Sequence, residues 1–318
     1  MDDPRAGSTR PTGRTAYLAA PGFVDELLIE LGDVVAVRDR LVIAEGPPRP
    51  AAWAQNLWFE PEEIAIRSIG GAANALRARQ RNWALFAFQL HRRAALIAAA
   101  LPKVSARKLV FPAPAPRAPL GSWTLLAPDR MLAAARCDSP FPNGEAGFVE
   151  DRSGPPNRAY LKLWEALTWF GEVPQPGQCC LDLGSSPGGW SWVIAGLGAA
   201  VVSVDKAALA PAVAALPGVE FRRGSAFALD PATVGPLDWW FCDVVCYPAR
   251  LLQLVRRWLA SGQAARMVAT IKFQGVTDHA TARAFAAIPG SALRHLSHNK
   301  HELTWLWRAN SGLMPGSF

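Results

Sequence analysis

Asp182-Leu183-Gly184-Ser185-Ser186-Pro187-Gly188-Gly189-Trp190 follows the apolar run Gln178-Cys179-Cys180-Leu181 and precedes Ser191-Trp192-Val193-Ile194-Ala195. The apolar run reads as a buried strand, and the segment after Trp190 has the spacing of a helix. An acidic residue at a strand tip, then a glycine turn opening a helix, is how a doubly wound α/β sheet holds a nucleotide-like ligand at the carboxyl ends of its strands. A dinucleotide fingerprint requires Gly-x-Gly-x-x-Gly. Gly184, Gly188 and Gly189 do not fit that register, which disfavours pyrophosphate binding. The next strand, 200–204, ends in Asp205, whose carboxylate can accept hydrogen bonds from both hydroxyls of an adenosine ribose. Two acidic strand tips with this turn favour S-adenosylmethionine over NAD. The expected cofactor contacts are Asp182, Gly184, Ser185, Ser186, Pro187, Gly188, Gly189, Trp190 and Asp205, with Asp243 at a further strand end.

These motifs resemble the FtsJ-like ribose 2′-O-methyltransferases, which carry a strand-end Asp-Leu-Gly and a Pro-Gly-Gly-Trp turn. That family also carries a Lys-Asp-Lys-Glu tetrad. The counterparts here are Lys162 in Asn157-Arg158-Ala159-Tyr160-Leu161-Lys162-Leu163, Asp243 after Leu237-Asp238-Trp239-Trp240-Phe241-Cys242, Lys272 closing Met267-Val268-Ala269-Thr270-Ile271, and Glu302 before Leu303-Thr304-Trp305-Leu306-Trp307. The resemblance covers residues 140–310 and implies that these four are the catalytic residues.

The four types also suit the chemistry by themselves. A ribose hydroxyl is a very weak acid, so its attack on a methyl sulfonium needs a group that takes or stabilises its proton. A lysine can do so if burial or a neighbouring cation lowers its pKa; Lys162 beside Lys272 would supply the like charge, with Asp243 and Glu302 orienting the ammonium groups. Each residue alone is more often a solvated strand end or a cap. Two lysines inside the apolar strings Tyr160–Trp164 and Val268–Phe273 need a reason beyond that.

Periodicity predicts strands near 179–183, 200–204, 219–222, 238–243, 267–272, 292–296 and 303–308, and helices near 159–170, 189–197, 248–260 and 278–287. Alternation of this kind gives a largely parallel, doubly covered sheet whose two closing strands are antiparallel. The expected fold is α/β, a class I (Rossmann-like) methyltransferase sheet with a smaller α+β amino-terminal domain. The 318 residues, half of them hydrophobic, exceed the usual size of one domain. No apolar run reaches membrane-spanning length and no signal-peptide core follows Met1, so a cytoplasmic protein without membrane partners is expected. Cys137, Cys179, Cys180, Cys242 and Cys246 have no zinc or redox spacing and read as reduced thiols. His298, Lys300 and His301 lack suitable partners for a metal site, and no metal is expected.

Charge is local. Residues 64–128 hold no Asp or Glu but ten basic residues: Arg67, Arg77, Arg79, Arg81, Arg92, Arg93, Lys103, Arg107, Lys108 and Arg117. Removing those ten from the formal net charge of +7 leaves the rest of the chain at −3. An uncompensated arginine cluster is the footprint of a polyanion, here structured RNA, whereas Trp83, Phe86 and Phe88 read as core. Ala72–Leu101 has helical spacing. Residues 15–23 suggest a first strand and turn, followed by a Val24–Leu31 helix and a Val34–Ala44 strand or hairpin. Pro21-Gly22-Phe23 and Ser139-Pro140-Phe141-Pro142-Asn143-Gly144 resemble one branch of the family, the bacterial large-subunit rRNA cytidine 2′-O-methyltransferases, in which ferredoxin-like and THUMP-type units precede catalysis. The expected organisation is a disordered tail over 1–13, a ferredoxin-like and partial THUMP-like RNA-binding domain over 14–101, a proline-rich connector with a hairpin over 102–150, a catalytic domain over 151–310 and a tail over 311–318. The implied function is S-adenosylmethionine-dependent 2′-O-methylation of 23S rRNA. The alternatives are a tRNA target and a catalytically silent RNA-binding module of the same fold; retention of all four charged residues weighs against silence.

Overall fold

Strand β11 (Cys179–Leu183) lies at the centre of the sheet that carries the glycine turn, hydrogen-bonded in parallel to β12 (Ala200–Asp205) on one side and β14 (Leu237–Cys242) on the other. The structure, a computed structural model, describes residues 9–104 and 107–309. It divides into two compact units. The first holds the described residues through Lys108 together with Ala115–Gly147; the second holds Leu109–Pro114 and the described residues from Phe148 onward.

In the second unit the strand order is β13-β12-β11-β14-β15-β17-β16, with β13 (Val219–Arg223), β15 (Ala264–Lys272), β16 (Ser291–Arg294) and β17 (Glu302–Arg308). Strands β11 to β15 are parallel, and β17 runs antiparallel between β15 and β16. This is the mixed α/β sheet expected from the alternation of elements. The chain works outward from β11 in both directions, so the strand order reverses between β11 and β14, where open α/β sheets bind ligands. Helices α4 (Tyr160–Phe170), α5 (Gly189–Gly196), α6 (Pro211–Ala214), α7 (Pro248–Ser261) and α8 (His279–Ala286) link the strands. Helix α7 shows how sequence makes such an element. Pro248 starts it, Gly262 ends it in the left-handed region, and Leu251, Leu252, Leu254, Val255 and Trp258 form its buried stripe.

The first unit contains two five-stranded sheets. One is antiparallel, in the order β10-β5-β2-β4-β3, from β2 (Arg14–Ala19), β3 (Val34–Arg38), β4 (Leu41–Glu45), β5 (Ala54–Phe59) and β10 (Arg136–Cys137). Helix α1 (Val24–Leu31) joins β2 to β3. The order β5-β2-β4-β3 is that of a split β-α-β sheet, with residues 46–53 where a second helix would run. The other sheet has the order β1-β6-β9-β8-β7, from β1 (Thr9–Pro11), β6 (Glu62–Ala65), β7 (Trp83–Leu85), β8 (Gly121–Ala127) and β9 (Arg130–Ala134). Helices α2 (Ile69–Arg77) and α3 (His91–Ala99) bury Ala72, Ala73, Leu76, Ala94 and Ile97 in one core with Trp123 and Met131.

Three sequence expectations change here. The continuous helical stretch of 72–101 is broken by β7, because Trp83-Ala84-Leu85 pairs in parallel with Gly121–Trp123 and buries Trp83 and Ala84. The β8–β9 hairpin, placed in the connector over 102–150, sits inside the second sheet because Trp123 and Leu125 complete the core under α2 and α3. Residues 9–11, placed in a disordered tail, form β1 and pair with Glu62–Ile64. The expected tails over 1–8 and 310–318 lie outside the described residues.

Candidate active site

Because β11, β12, β14 and β15 are parallel, their carboxyl ends share one edge, which places the turn after Leu183, Asp205, Asp243 and Lys272 along it. The turn needs glycine at two points. Gly184 has φ +76°, and a Cβ there would lie 2.6 Å from the Val244 Cα, so the ends of β11 and β14 could not approach as they do. Gly188, at φ +115°, caps α5 in a conformation side chains rarely adopt.

Asp205 accepts the Ser186 amide at 3.0 Å and the Ala207 amide at 2.9 Å. A carboxylate has about four acceptor sites, so lone pairs remain for a ligand. Asp182 is fully buried; its Oδ2 accepts the Ser191 hydroxyl at 2.6 Å, and Ser191 Oγ lies 2.7 Å from Ser203 Oγ. The other carboxylate oxygen, Oδ1, and the buried Ser185 Oγ have no hydrogen-bond partner. Burial pushes the Asp182 carboxyl up to about 7, against the Ser191 bond, with the charges of Asp243 and Asp205 adding to the rise. Trp190, expected at the cofactor, is only 3 % exposed, and its Nε1 donates to the Ala159 carbonyl at 3.0 Å. With Phe241 packed edge-on against it, Trp190 belongs to the core between α5 and the start of α4.

The four charged residues expected from the sequence converge. The Lys162 ammonium lies 3.1 Å and 3.3 Å from the two Asp243 oxygens and 3.1 Å from Glu302 Oε1. Lys272 Nζ lies 3.0 Å from Asp243 Oδ1 and also donates to the Asp243 carbonyl. The register of β15 and β17 sets Lys272 directly opposite Glu302. Burial of Lys162 opposes its charge, but Asp243 and Glu302 together more than compensate and raise its pKa above the usual lysine value. Lys162 is therefore held as a cation between the two carboxylates.

The FtsJ-like methyltransferase family matches residues 155–278. Over that segment the chain is similar to FtsJ-like methyltransferases. Lys162, Asp243 and Lys272 lie inside the matched stretch and Glu302 beyond it. Curated relatives named "Ribosomal RNA large subunit methyltransferase M" are similar to this chain. The protein from Halorhodospira halophila is 37% identical over 157 residues, 47% of this chain and 46% of the relative. Those from Alkalilimnicola ehrlichii and Azotobacter vinelandii are 33% and 32% identical over 195 and 168 residues, covering 57% and 47% of this chain and 53% and 46% of the relatives. The chain spans about half the length of the curated relatives it matches.

The FtsJ-like domain fits S-adenosylmethionine on its own residues. Asp205 suits a ribose diol, and the unsatisfied, buried Asp182 Oδ1 and Ser185 Oγ suit the donors of an amino-acid group. Among the described residues no group of His, Cys, Asp and Glu is arranged to hold a metal, and no helix is long and apolar enough to cross a membrane. Two participants went unnoticed in the sequence: Ser191, which ties Asp182 to Ser203, and Glu165, fully buried on α4. Glu165 carried a signal, a lone acid within Leu163-Trp164-Glu165-Ala166-Leu167.

Asp182 gives the domain a pH signature. Its folded pKa lies above the unfolded value of 3.8, so between pH 3.8 and about 7 the native state holds a proton that the unfolded chain has released. Stability attributable to this group is fully present below that window and falls by about 1.4 kcal/mol per pH unit as pH rises through it. Denaturant titrations across the window are expected to show this slope in the parent and not in Asp182→Asn; equal slopes would show that Asp182 does not titrate there.

Proposed function

We propose that the protein transfers the methyl group of S-adenosylmethionine to a ribose 2′-hydroxyl of large-subunit ribosomal RNA, at a cytidine. The carrying observation is the Lys162–Asp243–Lys272–Glu302 cluster beside the Asp205 and Gly184–Gly189 edge of the same sheet. S-adenosylmethionine supplies an electrophilic methyl on a positive sulfur. In its unprotonated form Lys272 would take the hydroxyl proton, and Asp243, whose Oδ1 lies against both lysine nitrogens, fixes its Nζ. Lys162 keeps its charge and supplies the neighbouring cation, while Glu302 holds Lys162 from the opposite side. The names of the similar proteins support the RNA class. A ribosomal RNA substrate also supports a cytoplasmic location.

The first unit supplies the RNA contacts. Arg79 is engaged by Glu62 at 2.7 Å and 2.9 Å, and Arg77 donates to the Ala100 carbonyl at 2.7 Å, so these two are withdrawn from the set expected to meet phosphate. Arg81, Lys103, Arg107 and Lys108 are exposed and line a cavity of about 760 Å³ with Pro119, Phe141 and Glu145, the last within 3.5 Å of Arg40. Cations over proline and aromatic walls suit a phosphodiester backbone with unstacked bases.

The cofactor assignment is tested by calorimetry. The protein is expected to bind S-adenosylmethionine and its demethylated product but not NAD. Asp205→Ala is expected to weaken binding by more than about tenfold, roughly 1.5 kcal/mol, as charge-assisted hydrogen bonds are lost. Tight NAD binding without S-adenosylmethionine binding would end the assignment.

A further inference from the structure

Glu165 is fully buried on α4, one helical turn from Lys162, and takes no part in the chemistry above. A buried carboxylate needs partners. Among the described residues its hydrogen-bond partners come from the turn before β17: Oε1 accepts the Ser297 amide at 2.9 Å and the Ser297 hydroxyl at 2.7 Å, and Oε2 accepts the His298 amide at 3.0 Å and lies 2.6 Å from His298 Nδ1. The turn then closes on itself, with the Asn299 amide on the Leu296 carbonyl at 3.0 Å and Asn299 Nδ2 on the Glu302 carbonyl at 3.1 Å. At its far end the Lys300 amide lies 3.4 Å from Glu302 Oε1, the oxygen that meets Lys162 at 3.1 Å.

We propose that Glu165 is a positioning residue that fastens the 297–300 turn to α4 so that Glu302 is delivered against Lys162. The inference rests on the methyltransferase reading. Its physical content is a closed ring. Lys162 and Glu165 are three residues apart on one helix face, a fixed spacing. Lys162 meets Glu302, Glu302 meets the turn, and the turn returns to Glu165. Without the anchor, Glu302 would still sit in β17 opposite Lys272, but the backbone donor on its carboxylate would be free to move. Small displacements of a catalytic group cost large factors in rate.

The test uses the full chain in two measurements: a double-mutant cycle on methyl transfer with Glu165→Gln and Glu302→Gln, and amide hydrogen exchange over residues 297–302. Glu165→Gln is expected to lower kcat at least about tenfold, leaving KM for S-adenosylmethionine within about twofold. In the Glu302→Gln background the same change should cost less than about twofold, because both act through one group. Exchange over 297–302 should rise at least about tenfold while β11 and β12 stay protected. Should Glu165→Gln fail to fold, Ser297→Ala, which removes only one of the four bonds, is expected to shift both readouts the same way by about threefold. Equal losses in both backgrounds, or unchanged exchange, overturn the proposal. Faster exchange in a chain whose parent transfers no methyl group would overturn the methyltransferase reading while supporting the fastening of the turn.

Discussion

Lys272→Ala is expected to lower turnover by on the order of a hundredfold or more while S-adenosylmethionine affinity changes little. The split follows from position. Lys272 Nζ is held by the Asp243 carboxylate and carbonyl at the end of β15, whereas the atoms suited to the cofactor lie around Asp205, Asp182 and Ser185. Lys272→Arg restores nothing, since arginine does not release a proton near neutral pH. Single-turnover rates and calorimetry on the same samples separate the effects. An active Lys272→Arg enzyme would show that the position supplies only positive charge, and a loss of cofactor affinity as large as the loss of rate would show that Lys272 is a binding residue.

The second large effect concerns RNA capture. Replacing Arg81, Arg92, Lys103, Arg107 and Lys108 with glutamine is expected to weaken RNA binding about equally for different sequences. It also flattens the dependence of log K on log salt by about 0.7 to 0.9 per cation lost. S-adenosylmethionine affinity stays unchanged, because these residues belong to the first unit and the cofactor-suited atoms to the second. The second unit alone should bind S-adenosylmethionine yet methylate RNA poorly. A variant that keeps the parent's salt slope, or a second unit as active as the full chain, would make the basic segment a solvated surface.

The second unit was readable because its signals are local. Cys179–Leu183 is bounded by a glycine on each side, and the observed strand has the expected limits. The amino-terminal unit was less readable because its decisive pairing is distant in sequence: β7 is a strand only because Gly121–Trp123 lies beside it, and nothing in an alanine-rich stretch of helical spacing announces that partner. The charged cluster was legible as four isolated residues in apolar strings. The expected pairing of two lysines with two carboxylates matches the geometry, while the raised pKa of Lys162 depends on distances that spacing along the chain does not carry. The burial of Trp190, with its indole nitrogen on the Ala159 carbonyl, is likewise a tertiary feature that the motif alone does not carry. Glu165 stands out as a lone acid in an apolar string, but its partners lie more than 130 positions away, so local pattern does not name them.

Site-resolved labelling of RNA separates ribose methylation from base methylation. Purified full-length protein is incubated with methyl-labelled S-adenosylmethionine and large-subunit ribosomal RNA, and the RNA is then hydrolysed in alkali and sequenced. Alkaline cleavage needs a free 2′-hydroxyl, so the proposal predicts one labelled, cleavage-resistant linkage, on the 3′ side of a cytidine, absent when Lys272→Ala replaces the parent. Label on a base, or no label on RNA from a protein that binds S-adenosylmethionine, would contradict it.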